Sequence, residues 1–246
     1  MCVFVAIRLK RLPALLLALA LVLLSLLYLR SGGKTGGGTA EALSKYDRAV
    51  MIIDPGHGGE DGGAQTAEGL LESKINLDIS LRLDALAGLY GIPTVMTRAT
   101  EEIAYPEEAN TTARRKAADQ RARLALINSY PEALLISIHQ NCFPDRRPSG
   151  CQVLYAETGG SEDFAKLAHE LLCQSLCPDN RRVAAPVPDN IYLMRNANCT
   201  AILVECGFLS NAREARLLTD ESYQIKISAV LLAATCQYAA QSDGMI

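Results

Sequence analysis

Three short apolar runs constrain this chain more than any other feature of it. Val50 to Ile53, Leu134 to Ile138 and Ala201 to Val204 are built from Ile, Leu, Val, Met and Ala with Ser137 the one polar residue, the pattern of strands buried on both faces. Such strands need helices above and below them, which points to a mostly parallel sheet inside an α/β fold. Each run also delivers a residue with chemistry. The first breaks at Asp54-Pro55-Gly56 into a glycine-rich loop with His57 near its start, because Pro lacks an N–H and Gly tolerates positive φ. The second ends at His139 and the third at Glu205. The chain holds only 3 histidines, and two of them stand at these strand ends, where open α/β sheets place their sites.

Helical patterns separate the runs. Glu72 opens one, with Ile75, Ile79, Leu83, Leu86 and Leu89 stepping by three and four and Gly91 beyond its end. Others are expected over Thr111 to Ser129, from Ser161 to about Leu176, over Asn211 to Leu218 and over Ser222 to Ala239. Further strands are expected at Ile92 to Thr97, Cys151 to Tyr155 and Ile191 to Met194, with loops at Glu101 to Ala109, Phe143 to Gly150 and the proline-rich Arg181 to Asp189. The expected architecture is an α/β three-layer sandwich, a mostly parallel central sheet flanked by helices, preceded by one N-terminal transmembrane helix.

That N-terminal helix is a separate object. Arg8, Lys10 and Arg11 precede Leu12 to Leu29, which has no charged residue. As a helix, Ala14 to Leu29 rises roughly 24 Å, near the lower limit for crossing a bilayer. A cleaved signal peptide is the competing reading, but Gly38-Thr39-Ala40 is a poor cleavage site, so residues 1–30 are read as an uncleaved anchor. The basic cluster keeps the N-terminus in the cytoplasm, which makes this a single-pass protein of the cytoplasmic membrane with an extracytoplasmic domain. Ser31 to Thr39 are Gly, Ser, Thr and Lys, so residues 31–48 are read as a flexible tether and residues 49–241 as the globular domain. The first 40 residues carry basic side chains and no acidic one, so the remainder is more acidic than the formal net charge of −3. That sign excludes nucleic acid as an electrostatically held partner.

Cysteines 142, 151, 173, 177, 199, 206 and 236 lie beyond the apolar segment, an odd number for an oxidising exterior. The spacing of Cys173 and Cys177 does not suit a Cys-x-x-Cys metal or redox motif. The set reads as small buried hydrophobes, with at most one disulfide whose partners are unassigned.

A catalytic zinc site needs three protein ligands and one open position. His57 and His139 supply two, and several carboxylates can be the third. Glu72 is favoured, since a helix N-terminus fixes a side chain's direction. Asp54-Pro55-Gly56-His57-Gly58-Gly59 with Asp61 and Ala64, then Glu72 with Asn76, Ser137-Ile138-His139 with Asn141, and Glu205 with Gly207-Phe208-Leu209-Ser210-Asn211 resemble the zinc-dependent N-acetylmuramoyl-L-alanine amidases. Lys116 to Asn128 and Pro148 to Tyr155 are similar to the single-span, spore-cortex branch of that family. The resemblance spans about Val50 to Tyr238. Gln140, Cys142 and Thr200 depart from the family pattern without touching an expected ligand.

The resemblance implies that His57, Glu72 and His139 hold Zn2+, that Glu205 is the acid/base, and that peptidoglycan is the substrate, cut between N-acetylmuramic acid and L-alanine. Asn141 is a weak candidate for substrate binding, and an activator protein is left open. Two other readings stand beside this one, a zinc peptidase acting within the stem peptide and a silent wall-binding module on a membrane tether. Asp54 and Asp61 are read as loop braces or partners of the ligands. Arg98, Arg114, Arg121 and Arg195 are candidates, none assigned, for clamping stem-peptide carboxylates. His169, in an apolar helical pattern, is read as structural.

Overall fold

A computed structural model describes residues 51–242. Strand β1 (Met51–Pro55) occupies the interior of a sheet with β2 (Thr94–Met96), β3 (Leu134–Asn141), β4 (Gln152–Tyr155), β5 (Ala185–Pro186) and β6 (Thr200–Phe208). Their order is β2-β1-β3-β6-β4-β5. All neighbouring pairs are parallel except β4 with β6. Helices α1 (Glu72–Leu89), α3 (Ser161–Leu176) and α6 (Glu221–Ser242) cover one face, with α5 (Ala212–Leu218) beside them. Helices α2 (Thr112–Asn128) and α4 (Tyr192–Asn196) cover the other. The expected three layers are present.

Alternation within the apolar runs explains the layering. Met51 and Ile53 pack with Ile75, Ile79 and Leu83 on the first face, while Ile52 packs with Ile127 and Met194 on the second. Successive strand residues point to opposite faces, so both sets must be apolar, which is why no alternation shows in the sequence.

The structure differs from expectation at several boundaries. Tyr192–Asn196 is a helix where a strand over Ile191 to Met194 is expected. The run is too short for periodicity to decide, and Pro188 opens a turn through the Ile191 N–H that feeds the helix. Within the proline-rich stretch, Ala185 and Pro186 pair with Leu154 and Tyr155 at the sheet edge, where proline is tolerated. Strand β2 is shorter than expected, beginning after Pro93. Strand β6 runs past Glu205 to Phe208, so Glu205 lies within a strand and not at its end. The residues expected to form the membrane anchor and the tether lie outside the described residues. Among the described residues, no helix is long and apolar enough to cross a membrane.

Candidate metal centre and active site

Strand β1 delivers the loop from Gly56 to Leu71 at its carboxyl end. His57 has φ of 59°, the only non-glycine with positive φ among the described residues. That conformation costs on the order of 1–3 kcal/mol and persists where surroundings fix it. Here two arginines fix it. Arg98 donates from Nε to the carbonyls of Pro55 (3.0 Å) and His57 (2.8 Å), and from Nη2 to Gly56 (3.0 Å) and Ser73 (2.8 Å). Arg123 donates to the carbonyls of Pro55 (2.7 Å) and His57 (2.7 Å). Both guanidinium groups are buried, and Arg123 is compensated by Asp54 at 2.9 Å and Asp119 at 2.9 Å. Asp54 in turn accepts from Thr97 (2.6 Å) and Ser137 (2.6 Å). Asp54 is thus a loop brace. Arg98, a candidate substrate clamp from sequence, is instead committed to backbone carbonyls.

The loop folds back to cap α1. The Glu72 N–H donates to the Ala64 carbonyl (2.8 Å) and the Ser73 N–H to that of Gly62 (3.1 Å), satisfying donors that a helix start leaves free. Glu72 is buried and projects inward from this first turn. Its Oε1 lies 3.3 Å from His57 Nε2 and 3.1 Å from His139 Nδ1. Its Oε2 accepts from the Ala64 N–H at 2.9 Å, and the Gln140 N–H also reaches Oε1 at 3.1 Å. Gly56 is required where it stands, since a Cβ there would meet the His139 ring at 2.3 Å. The three sequence-predicted ligands are therefore brought together, their donor atoms within 4.8 Å of one another.

The donor set fits zinc. Two nitrogens and a carboxylate oxygen around a tetrahedral ion with bonds of about 2.0–2.1 Å stand roughly 3.3 Å apart, and the separations from Glu72 Oε1 are 3.1 and 3.3 Å. His57 Nδ1 faces Asp61 Oδ1 at 3.1 Å, which leaves Nε2 for the ion, and Lys116 holds the other Asp61 oxygen at 2.8 Å. Burial alone would push the His57 imidazolium down. Hydrogen bonds and charge from Asp61 and Glu72 outweigh it and hold the group up to about 9. Burial likewise opposes the Glu72 carboxylate, yet His139 and His57 keep it well below the usual range.

Glu205 sits beside His139 in register across β3 and β6, on the same face of the sheet. Its Oε2 is a buried oxygen with no hydrogen-bond partner. Burial raises this carboxyl to about 7, with His139 opposing, Glu72 adding to the rise and His57 opposing. A carboxyl poised near neutrality beside two imidazoles can both take and give a proton. Glu205 does not cap the following helix, because the Asn211 side chain does that work, accepting from the N–H groups of Arg213 (3.0 Å) and Glu214 (3.3 Å).

These groups line a cleft of about 370 Å³, whose walls are Lys116, Asp119 and Gln120 from α2 and residues 190–194 at α4. Asn141 does not line it, and its backbone carbonyl accepts from Leu209 at 2.8 Å. Arg123 and Lys116 fall inside the Lys116 to Asn128 stretch that resembles the spore-cortex branch, but only the fold shows that one braces the loop and the other holds Asp61.

The chain matches the family model described as N-acetylmuramoyl-L-alanine amidase over residues 51–236. It is 36% identical over 190 residues to the germination-specific N-acetylmuramoyl-L-alanine amidase of Bacillus subtilis, covering 77% of this chain and 79% of that one. Among solved structures it resembles the CwlD amidase from Clostridioides difficile in complex with the GerS lipoprotein. The TM-score is 0.74 at 34% identity, over 78% of this chain and 98% of that one. A second amidase, AmiC2 of Nostoc punctiforme, shares the fold with a TM-score of 0.67 at 23% identity, over 78% of this chain and 98% of that one.

Proposed function

The chain belongs to the N-acetylmuramoyl-L-alanine amidase family and is a peptidoglycan amidase, and from that premise we propose that His57, Glu72 and His139 hold a catalytic zinc ion while Glu205 moves the proton. The observation that carries this reading is the orphaned, buried Oε2 of Glu205 beside a three-donor cluster of the right edge length. When bound, zinc lowers the pKa of water to about 7 and polarises an amide carbonyl.

The residues then divide the work. Asp61 orients His57 from behind. Glu72 and His139 fix the opposite side, and the buried arginines keep the loop from relaxing. Glu205 accepts the proton of the attacking water as it adds to the lactyl carbonyl, and returns it to the departing amine of L-alanine. A carboxyl held near 7 loses little driving force in either direction. The walls at α2 and residues 190–194 are suited to hold the glycan and stem on either side of the scissile amide.

The cellular setting is proposed along with the chemistry. Residues 1–30 anchor the domain to the cytoplasmic membrane through residues 31–48, with residues 49–241 facing the wall. The germination-specific relative favours spore-cortex peptidoglycan as the substrate, and the complex with a lipoprotein favours a partner of that kind as activator. The test of the catalytic assignment is Glu205→Gln. Turnover of purified peptidoglycan should fall by about 10³-fold, within the range of lost general acid–base catalysis, with zinc content unchanged. Turnover near that of the parent chain would refute the role of Glu205.

A further inference from the structure

Away from the cleft, α3 carries His169 and Cys173 four residues apart on one face of its last turns, and Cys177 follows as the residue that ends the helix. Cys151, immediately before β4, approaches that face. Its Sγ lies 3.9 Å from Cys173 Sγ and 3.4 Å from Cys177 Sγ. His169 Nδ1 lies 3.5 Å from Cys173 Sγ. The ligand atoms of Cys151, His169 and Cys173 all stand within 4.8 Å of one another. Cys151 and His169 are buried, and none of these cysteines is in a disulfide.

We propose that Cys151, His169, Cys173 and Cys177 form a second zinc site, structural in role. Zinc–sulfur bonds of about 2.3 Å at tetrahedral angles place sulfurs roughly 3.8 Å apart, and a sulfur and an imidazole nitrogen roughly 3.5 Å apart. The Cys151–Cys173 separation of 3.9 Å and the His169–Cys173 separation of 3.5 Å match these edges, and Cys177, at 3.4 Å from Cys151, stands inside the sulfur edge as the fourth donor. Asn180 completes the surroundings from the loop after α3. Its amide Nδ2 donates to the Cys151 carbonyl at 2.7 Å and lies 3.4 Å from Cys173 Sγ and 3.6 Å from Cys151 Sγ. N–H groups aimed at sulfur stabilise thiolate ligands and orient them.

A disulfide between Cys151 and Cys177 would use two of these groups and leave Cys173 and His169 without a purpose. Four donors leave no position for water, which separates this site from the catalytic one. A hollow of about 570 Å³ touches Cys177 and Asn180 and shares no lining residue with the cleft, giving the ion its own entry. The position explains what such a clamp would do. Cys151 precedes Gln152, which stands opposite Glu205 in the β4–β6 ladder. An ion at Cys151 therefore ties the end of α3 to the strand that backs the catalytic carboxylate.

The test uses the full chain, purified without chelator, with zinc counted by elemental analysis and a parallel sample loaded with cobalt(II). Two zinc ions per chain are expected, and one in Cys173→Ser. Thiolate-to-cobalt charge-transfer absorption is expected in the parent chain and in His57→Ala, where the catalytic site is lost, but not in Cys173→Ser. Absence of that absorption from the parent chain would overturn the proposal even if Cys173→Ser failed to fold. So would a chain lighter by two hydrogens with Cys151 joined to Cys177 and no sulfur-bound metal.

Discussion

Around Glu72 the converging atoms are nitrogen and oxygen, come from three distant stretches of chain and face a cleft. Around Cys173 they are mostly sulfur, come from one helix and its C-cap with Cys151 joining them, and pack against the apolar core. Both clusters have edges near the tetrahedral values for zinc, so geometry alone does not separate their roles. The difference lies in what stands next to each. The first has an orphaned acid, Glu205, and strained backbone held by buried cations, features that cost stability and are useful only for chemistry. The second has a fourth donor in Cys177 and an amide cap in Asn180.

The largest effect that would sharpen this contrast is His57→Ala. It should cost one zinc ion and reduce peptidoglycan turnover to background while leaving the thiolate absorption intact. Loss of both metals together would show that the sites are not separable. Next comes Arg123→Met, which leaves Asp54 buried and unpaired and should destabilise the domain by about 3–5 kcal/mol in urea unfolding. Arg123 is 3% exposed and Asp54 1%, so solvent cannot take over the lost partner. A change below 1 kcal/mol would contradict the brace.

Smaller still is Asp61→Asn, which keeps a hydrogen bond to His57 but removes its charge. Zinc affinity at the catalytic site should drop about 10–100-fold, as measured by competition with a chromophoric chelator. The sulfur site should not respond. Acid should also discriminate between variants. Burial raises the Asp54 carboxyl, but Arg123, Ser137, Thr97 and His139 together bring it below its ordinary 3.8. A depressed carboxyl stabilises the fold above its unfolded value and loses that contribution as pH falls through the folded one. Between pH 5 and 2, on the order of the carboxylate range, the parent chain should therefore lose more stability than Asp54→Asn. Parallel curves would refute the assignment. The smallest effect is expected at Thr111→Ala, remote from both clusters. Thr111 caps α2 through the Arg114 N–H, and its loss should cost about 1 kcal/mol without touching either metal.

What was legible in the sequence follows the same division. The candidate cluster around Glu72 was partly readable because buried parallel strands announce themselves as unbroken apolar runs, and these single out His57, His139 and Glu205. Glu72 is singled out by its place at a helix start, and the roles of all four by the resemblance to the amidases. The braces were not readable. Arg98 and Arg123 look like surface arginines until the fold buries them against the carbonyls of Pro55 and His57. The sulfur cluster was hidden because Cys151 joins it only through the packing of β4 against α3, and the intervals along α3 fit no short metal motif. Short elements misled for a related reason. Tyr192–Asn196 carries too few residues for a period of 3.6 to differ visibly from a period of 2.

The central claim is that amide cleavage depends on a metal held by His57, Glu72 and His139 and on the carboxylate of Glu205. Mass spectrometry of the products from purified peptidoglycan tests it most directly, with the full chain as purified, after chelation, and after zinc is restored. The account predicts free stem peptides with a new L-alanine amine, their loss on chelation and their return with zinc. Release of the same peptides at an undiminished rate from the metal-free chain would contradict it.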